Sequence, residues 1–275
     1  MKRTLAKMRV ELVEKGLFGL SKKILTTIFQ RTLRRWWYAD YWIIGKIFEL
    51  KGSIFYVDGL KYSAIGPKLT TKFKSGFLLH DYEKDERQAV KRFLDTDVPV
   101  IEFGAGFGVI SCTINKKLAN PKDHIVVEAN PYLIAPLEKN RDVNGCKFTI
   151  INKAVGYDRD SISMYLQGNI GSSGTKYESG EKIQVATVTL GRILQSSGFK
   201  IANLVTDIEG TEFDIIDKEL DVLKSKIKTI IAEFHPNVIG KDRFDAVLLK
   251  LKNIGFEPMH RKESVYVLKN NFLQS

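Results

Sequence analysis

The sequence predicts an α/β fold: a mostly parallel seven-stranded sheet closed by a C-terminal antiparallel hairpin, with a basic helical extension in front. Three observations predict it. From Val98 onward, short apolar runs alternate with stretches of helical periodicity. Those runs are too apolar to face water on either side, as in parallel strands covered by helices on both faces. The last two runs, Phe256 to His260 and Ser264 to Leu268, follow each other closely enough to pair as a hairpin.

The chain divides into residues 1–51, 52–97 and 98–275. Residues 1–51 carry 12 Lys/Arg against 4 Asp/Glu, which accounts for +8 of the net charge of +11. Leu5, Met8, Leu12, Gly16 and Leu20, then Leu17, Ile24 and Ile28, recur at helical spacing with basic residues between them. All three tryptophans, Trp36, Trp37 and Trp42, follow at once. A basic amphipathic segment with aromatic rings at its end suits an anionic membrane surface, with residues 1–48 as the contact. The same pattern also fits helices that pack on the core or pair two subunits, and it leaves a homo-oligomer open. No apolar run reaches the roughly 18–20 residues that span a bilayer, and no secretory signal is evident. Cys112 and Cys146 show no metal-ligand spacing. These features place the protein in the cytoplasm, at most peripheral to a membrane, with no disulfide framework and no zinc site; no metal ligand is assigned, and the sequence leaves any metal requirement open.

Between residues 52 and 97, Val57-Asp58-Gly59-Leu60 reads as a hairpin turn. A helix follows, from Asp81 as N-cap to Phe93. In the core, strands are expected at Val98 to Phe103, His124 to Glu128, Phe148 to Ile151, Leu204 to Ile208 and Thr229 to Phe234. Helices are expected at Gly108 to Leu118, Tyr132 to Val143 and Asp242 to Asn253. Ser161 to Leu166 and Gln184 to Thr189 read as strands around a Gly/Ser-rich loop.

Four blocks carry chemistry. The first is Glu102-Phe103-Gly104-Ala105-Gly106-Phe107-Gly108, an acid and three alternate glycines between a strand and a helix. Glycine permits the sharp turn and the close approach of backbone to ligand. Open α/β sheets bind ligands at this place. The spacing differs from the Gly-x-Gly-x-x-Gly that sets a pyrophosphate at a helix N-terminus. S-adenosylmethionine (SAM) has no phosphate, and Glu102 suits its ammonium. The second block, Glu128-Ala129-Asn130, ends the next strand, about 20 residues on, where a carboxylate accepts ribose hydroxyls. The third, Asp207-Ile208-Glu209-Gly210-Thr211-Glu212, crowds three acids at the tip of the fourth strand. The fourth, Glu233-Phe234-His235, ends the fifth. Asp207, Glu209 and His235 are the candidates to orient or deprotonate a substrate hydroxyl. Glu212 also fits a plain helix N-terminus.

In this order the blocks resemble the FkbM family of methyltransferases, from about Asp81 to Leu268. Asp207-Ile208-Glu209-Gly210-Thr211-Glu212 is similar to that family's Asp-x-Glu-Gly-x-Glu signature. Tyr82-Glu83 and Asn152-Lys153-Ala154-Val155-Gly156 look like the family as well. Two departures stand out. Glu102 replaces an Asp, and Gly191-Arg192 replaces an acidic turn. The resemblance implies a Rossmann-like class I methyltransferase fold. It further implies SAM held by Glu102, Gly104, Ala105, Gly106, Gly108, Glu128, Ala129, Asn130, Ala154 and Asp207. It also implies O-methylation of a glycan, glycolipid or other hydroxylated metabolite. Two other functions compete. An RNA methyltransferase would use the basic first segment, but no RNA-binding module is recognisable. A non-catalytic membrane-associated scaffold would not need the glycines and acids that are all present.

Overall fold

The computed structural model describes residues 41–66, 69–78, 82–166, 173–174, 181–208, 210–236 and 240–273. The amphipathic stripe from Leu5 to Ile28, Trp36, Trp37, Asp81 and Glu209 lie outside the described residues.

The chain enters through helix α1 (residues 41–50), the hairpin β1 (Ile54–Val57) and β2 (Leu60–Ser63), and helices α2 (Thr71–Leu78) and α3 (Lys84–Phe93). The core then runs β3 (Val100–Phe103), α4 (Val109–Lys117), β4 (His124–Val127), α5 (Pro131–Val143) and β5 (Thr149–Ile151). After an insertion come α6 (Leu190–Ser197), β10 (Ala202–Thr206), α7 (Glu212–Lys218) and α8 (Leu220–Lys226). The chain closes with β11 (Ile227–Glu233), α9 (Lys241–Asn253), β12 (Phe256–Lys262) and β13 (Val265–Asn270).

The main sheet has seven strands in the order β12-β13-β11-β10-β3-β4-β5. β11, β10, β3, β4 and β5 are parallel, and β13 is antiparallel to both its neighbours. This is the Rossmann-like arrangement that the strand rhythm predicts. Every residue of β3 and of β10 is buried, as strands covered on both faces require. The chain starts at β3, builds outward through β4 and β5, then crosses back to β10 and builds the other way. The crevice between the carboxyl ends of β3 and β10 is therefore the topological switch point, where such sheets hold ligands.

The insertion departs from the single-sheet expectation. β6 (Ala154–Val155), β7 (Ser161–Leu166), β8 (Ser173–Gly174) and β9 (Glu181–Val188) form a separate four-stranded sheet in the order β6-β9-β7-β8. Thr189 then caps α6 by accepting a hydrogen bond from Arg192 N.

The hairpin turn is where the sequence predicts it. Asp58 and Gly59 both adopt positive φ, at 53° and 80°, as a two-residue hairpin loop demands. Burial raises the Asp58 carboxyl, but Lys91 and Arg87 at 2.5 and 2.6 Å prevail and hold it below its usual range. The next helix does not begin at Asp81. It starts at Lys84, because Glu83 takes a left-handed conformation at φ 49° that breaks the helix there.

The hairpin and α2 bury an aromatic cluster of Phe48, Phe55, Tyr62 and Phe77, which reaches the glycine turn through Phe107. Polar groups fix the register. Asn140 on α5 and Asn144, the C-cap one turn later, act as a strand edge toward β2. Asn144 accepts from Lys61 N and donates to Lys61 O at 2.9 and 2.8 Å. Asn140 accepts from Ser63 N at 2.8 Å and donates to Ser63 O at 3.1 Å and to Phe107 O at 2.8 Å. Fully buried, Asn140 thus joins the leading hairpin to the turn after β3. Asn140→Ala leaves buried backbone groups unpaired, each costing about 1–3 kcal/mol. Urea unfolding is expected to show a loss of at least about 3 kcal/mol, three such groups at about 1 kcal/mol each; a loss under about 0.5 kcal/mol, the scale of an ordinary surface change, would contradict this role.

Candidate active site

The turn after β3 brings four loops together. Gly104, Gly106 and Gly108 all have positive φ, at 83°, 54° and 80°. Gly104 is fixed by crowding as well, since a Cβ there would lie 2.0 Å from Asp207 O. The tip of β10 therefore lies directly against the first glycine. A Cβ on Gly106 would lie 3.3 Å from the Tyr82 hydroxyl, so Tyr82 covers the middle of the turn. A Cβ on Gly108 would meet Leu137 of α5 at 2.5 Å.

Glu128 ties this turn to the end of β4. Its Oε2 accepts from Ala105 N and Gly106 N, both at 3.0 Å, and its Oε1 accepts from Asn130 N at 2.8 Å. Burial raises its carboxyl above the usual range, against the lowering effect of those three amides. A carboxylate has about four acceptor sites, so one remains for a ligand hydroxyl. Asn130 caps α5 by accepting from Tyr132 N at 3.0 Å. Its fully buried Nδ2 has no hydrogen-bond partner among the described residues. Asn152 Nδ2 donates to Glu128 O and Ala129 O, at 2.8 and 3.2 Å, and holds the strand end from outside. Ala129 packs beside the small cluster that contains Ala154.

Glu102 departs from its expected role. It is 1% exposed, and both carboxylate oxygens are engaged within the core. Ser111 Oγ donates to Oε1 at 2.8 Å, and His124 Nε2 lies 2.9 Å from Oε2. Asn115 Nδ2 lies 3.4 Å from His124 Nδ1, which leaves Nε2 to carry the proton toward Glu102. Glu102 is thus a brace between β3, α4 and β4, not a group facing a ligand ammonium. The acid was legible in the sequence; its partners, one of them 22 residues away, were not.

At the next two strand ends the acids gather. Glu212 also closes a loop, its oxygens accepting from Ile208 N and Gly210 N at 2.6 and 2.8 Å. That is the helix-start role, so Glu212 does not face the crevice as a base. Asp207 and His235 face each other, with Nε2 3.8 Å from Oδ1, and Glu233 Oε1 lies 4.0 Å from the same Nε2. Asp207, Glu233 and His235 could together hold a metal ion, since one donor atom from each lies within 4.8 Å of the others. The sequence reading joins Asp207 and His235 as groups acting on a hydroxyl, not as metal ligands, because their separation across two strands has no ligand spacing in the sequence.

A cleft of about 620 Å³ opens over these groups, lined among others by Tyr82, Glu83, Glu86, Asp207, Glu233 and Ser264. Glu86 and Glu233 are hydrogen-bonded to each other. Burial, followed by the hydrogen bond to Glu233, pushes the Glu86 carboxyl up to about 8. Burial raises Glu233, but the bond from Glu86 and then the Ser264 hydroxyl at 2.6 Å lower it on balance. No sequence signal marks Glu86 or Ser264. Tyr82 and Glu83 were legible as part of the resemblance, without a role. Burial raises the Tyr82 phenol, helped by Glu83, Asp207 and Glu128. Burial and then Glu86 push Glu83 up to about 8.

The FkbM methyltransferase domain model matches residues 102–258, more than half of the chain. Among curated proteins, none matches this sequence. Among solved structures, a protein in the NADB-Rossmann superfamily from Streptococcus agalactiae has 12% identity and a TM-score of 0.42, covering 68% of each chain. M. jannaschii TYW2 in complex with AdoMet has 11% identity and a TM-score of 0.42, covering 78% of this chain and 82% of its own. A ribosomal protein L11 methylase from Lactobacillus delbrueckii subsp. bulgaricus has 12% identity and a TM-score of 0.40, covering 69% and 77%.

The raised Glu83 makes a pH prediction. Its carboxyl keeps its proton in the folded chain up to about 8, whereas in the unfolded chain it ionises near the ordinary value of 4.5. Its contribution to stability is therefore fully present below that lower value and is lost as pH rises toward 8. The slope is at most about 1.4 kcal/mol per pH unit. Glu83→Gln removes this loss. Urea unfolding at several pH values is expected to show a shallower decline from pH 5 to 8 in the variant; parallel curves would contradict the assignment.

Proposed function

Because this chain belongs to the FkbM methyltransferase family, with SAM as its cofactor, we propose that it methylates a hydroxyl of a glycan, glycolipid or other hydroxylated metabolite. The observation that carries this reading is the pair Asp207 and His235 beside the glycine turn. Gly104 puts the tip of β10 in contact with that turn, so a group held by Asp207 lies next to whatever the turn holds.

The site residues fit SAM. Gly104 and Gly106 leave backbone accessible where a side chain would fill the cradle. Glu128 keeps one acceptor site for the ribose, and the Asn130 amide is buried with hydrogen-bonding capacity to spare. In this reading Gly104, Ala105, Gly106, Gly108, Glu128, Ala129, Asn130 and Ala154 hold the cofactor, and Glu102 acts by bracing the turn. When bound, SAM supplies a methyl carbon already activated by its sulfonium. The chain's own work is to orient the acceptor oxygen in line with that carbon and to exclude water. One of the pair Asp207 and His235 would take the hydroxyl's single proton during methyl transfer, and the other would orient the hydroxyl. Glu209 belongs to the same signature and is proposed to support Asp207.

A second, separate reading concerns location. Among the described residues no helix is long and apolar enough to cross a membrane. On α1, Trp42, Ile43 and Ile47 are 55%, 49% and 44% exposed, with Lys46 beside them. An exposed aromatic and aliphatic face with basic neighbours favours residues 1–48 as the contact with an anionic membrane that carries a lipid-linked acceptor. Flotation with anionic vesicles is expected to carry the full chain and to leave behind a chain lacking residues 1–48. If the full chain stays with the soluble fraction, this reading fails.

The catalytic assignment is tested with labelled SAM on crude glycan and lipid fractions. Asp207→Asn and His235→Ala are expected to lower turnover about 10²- to 10⁴-fold, the usual worth of positioned proton transfer, while SAM affinity changes little. Normal turnover in both variants would remove them from the catalytic set. Weakened SAM binding in Asp207→Asn would move Asp207 to the cofactor set.

A further inference from the structure

We propose that Asp207, Glu233 and His235 form a site for one divalent cation of the Mg²⁺/Mn²⁺ class, which coordinates the acceptor hydroxyl. The inference deepens the O-methylation reading and rests on it for the role of the ion, though not for its binding.

The donors come from the carboxyl ends of two neighbouring parallel strands, β10 and β11, so the sheet itself sets their spacing. His235 Nε2 stands 3.8 Å from Asp207 Oδ1 and 4.0 Å from Glu233 Oε1. Those separations are too long for direct hydrogen bonds. Neighbouring ligands held about 2.1 Å from a shared octahedral ion stand roughly 3 Å apart, so these donors draw together by about 1 Å on binding, within the reach of side-chain rotation. Two carboxylates and one imidazole form a mainly hard donor set, with vacant positions left for substrate oxygens.

Two further features support the site. Glu233 Oε1 accepts from Ser264 Oγ at 2.6 Å. A partner outside the ligand in this way fixes its orientation. Second, Thr206 is 4% exposed, and its hydroxyl has no hydrogen-bond partner among the described residues. Thr206 lines the same small enclosed pocket as Asp207 and Glu233, beneath the open cleft. A buried hydroxyl of that kind calls for a polar occupant, such as an ion's bound water. The cleft holds many acids and few cations. Of its two lysines, Lys262 is committed to Asp85 at 2.6 Å. An ion supplies the missing positive charge.

A hydroxyl bound to the ion becomes more acidic, so with the ion in place Asp207 and His235 promote deprotonation as its ligands rather than as the direct proton acceptor, and the proton leaves to water.

The test is a titration of the full chain with Mn²⁺, read from the electron paramagnetic resonance of the free ion, without SAM or acceptor. One saturable site per chain is expected. Glu233→Gln and His235→Ala should each weaken it by about tenfold or more while SAM affinity, measured without metal, shows that both variants are folded. No saturable binding at millimolar Mn²⁺ would overturn the proposal. So would a saturable site that both variants retain, which would be adventitious. If the expected site appears but no hydroxyl acceptor is ever methylated, the site stands and the O-methylation reading is what fails.

Discussion

The Glu128 carboxylate is the interaction on which the rest of the crevice depends. One oxygen gathers the amides of Ala105 and Gly106, and the other takes Asn130 N. That single side chain sets the glycine turn, the end of β4 and the start of α5 in one geometry. A buried carboxylate with too few donors would be costly, and three amides offset most of that cost. The turn must then run flush against its neighbours. Gly104 permits the contact with Asp207, and Gly108 permits the contact with Leu137. Glu102, Ser111 and His124 brace the same turn from inside the sheet. The site is thus built by polar groups that hold backbone, and little of it is left to mobile side chains.

A division of labour among the acids follows. Glu102 and Glu212 are 1% exposed and spend both oxygens on the protein. Asp207 and Glu233, at 41% and 23% side-chain exposure, open to the cleft. Carboxylates that look alike in sequence are therefore separated by burial into supports of the fold and groups that face the cleft. Tyr82 and Glu83, delivered by the segment before the core, cover the crevice from the other side. Asn140 makes that delivery exact, because it bonds both Ser63 and Phe107 O.

Much of this was legible in the sequence. Each core strand forms within a few residues of its expected place, because uninterrupted apolar runs have few alternatives to a parallel sheet covered on both faces. Asp58-Gly59 marked its own turn, since few other pairs tolerate positive φ at both positions. The glycine turn and Glu128 announced themselves by spacing. What was hidden depended on pairing across distance. Nothing local to Glu102 reveals His124, and nothing in Asn140 or Asn144 reveals that their amides continue the edge of β2. The start of α3 was missed because Asp81 has the side chain of an N-cap, while Glu83 takes a left-handed conformation that no local signal marks. Glu86 and Glu233 are 147 positions apart in the numbering and meet only through the fold.

The central claim is that the Glu128-held glycine turn is a SAM site. Calorimetric titration tests it most directly, with SAM, its demethylated product and NAD offered to the wild-type chain and to Glu128→Ala. The account predicts that the wild type binds SAM and the product but not NAD. It predicts that Glu128→Ala loses about 1.5–3 kcal/mol of SAM binding, the worth of hydrogen bonds to a charged acceptor. Unchanged SAM affinity in Glu128→Ala, or NAD binding as tight as SAM binding, would contradict it.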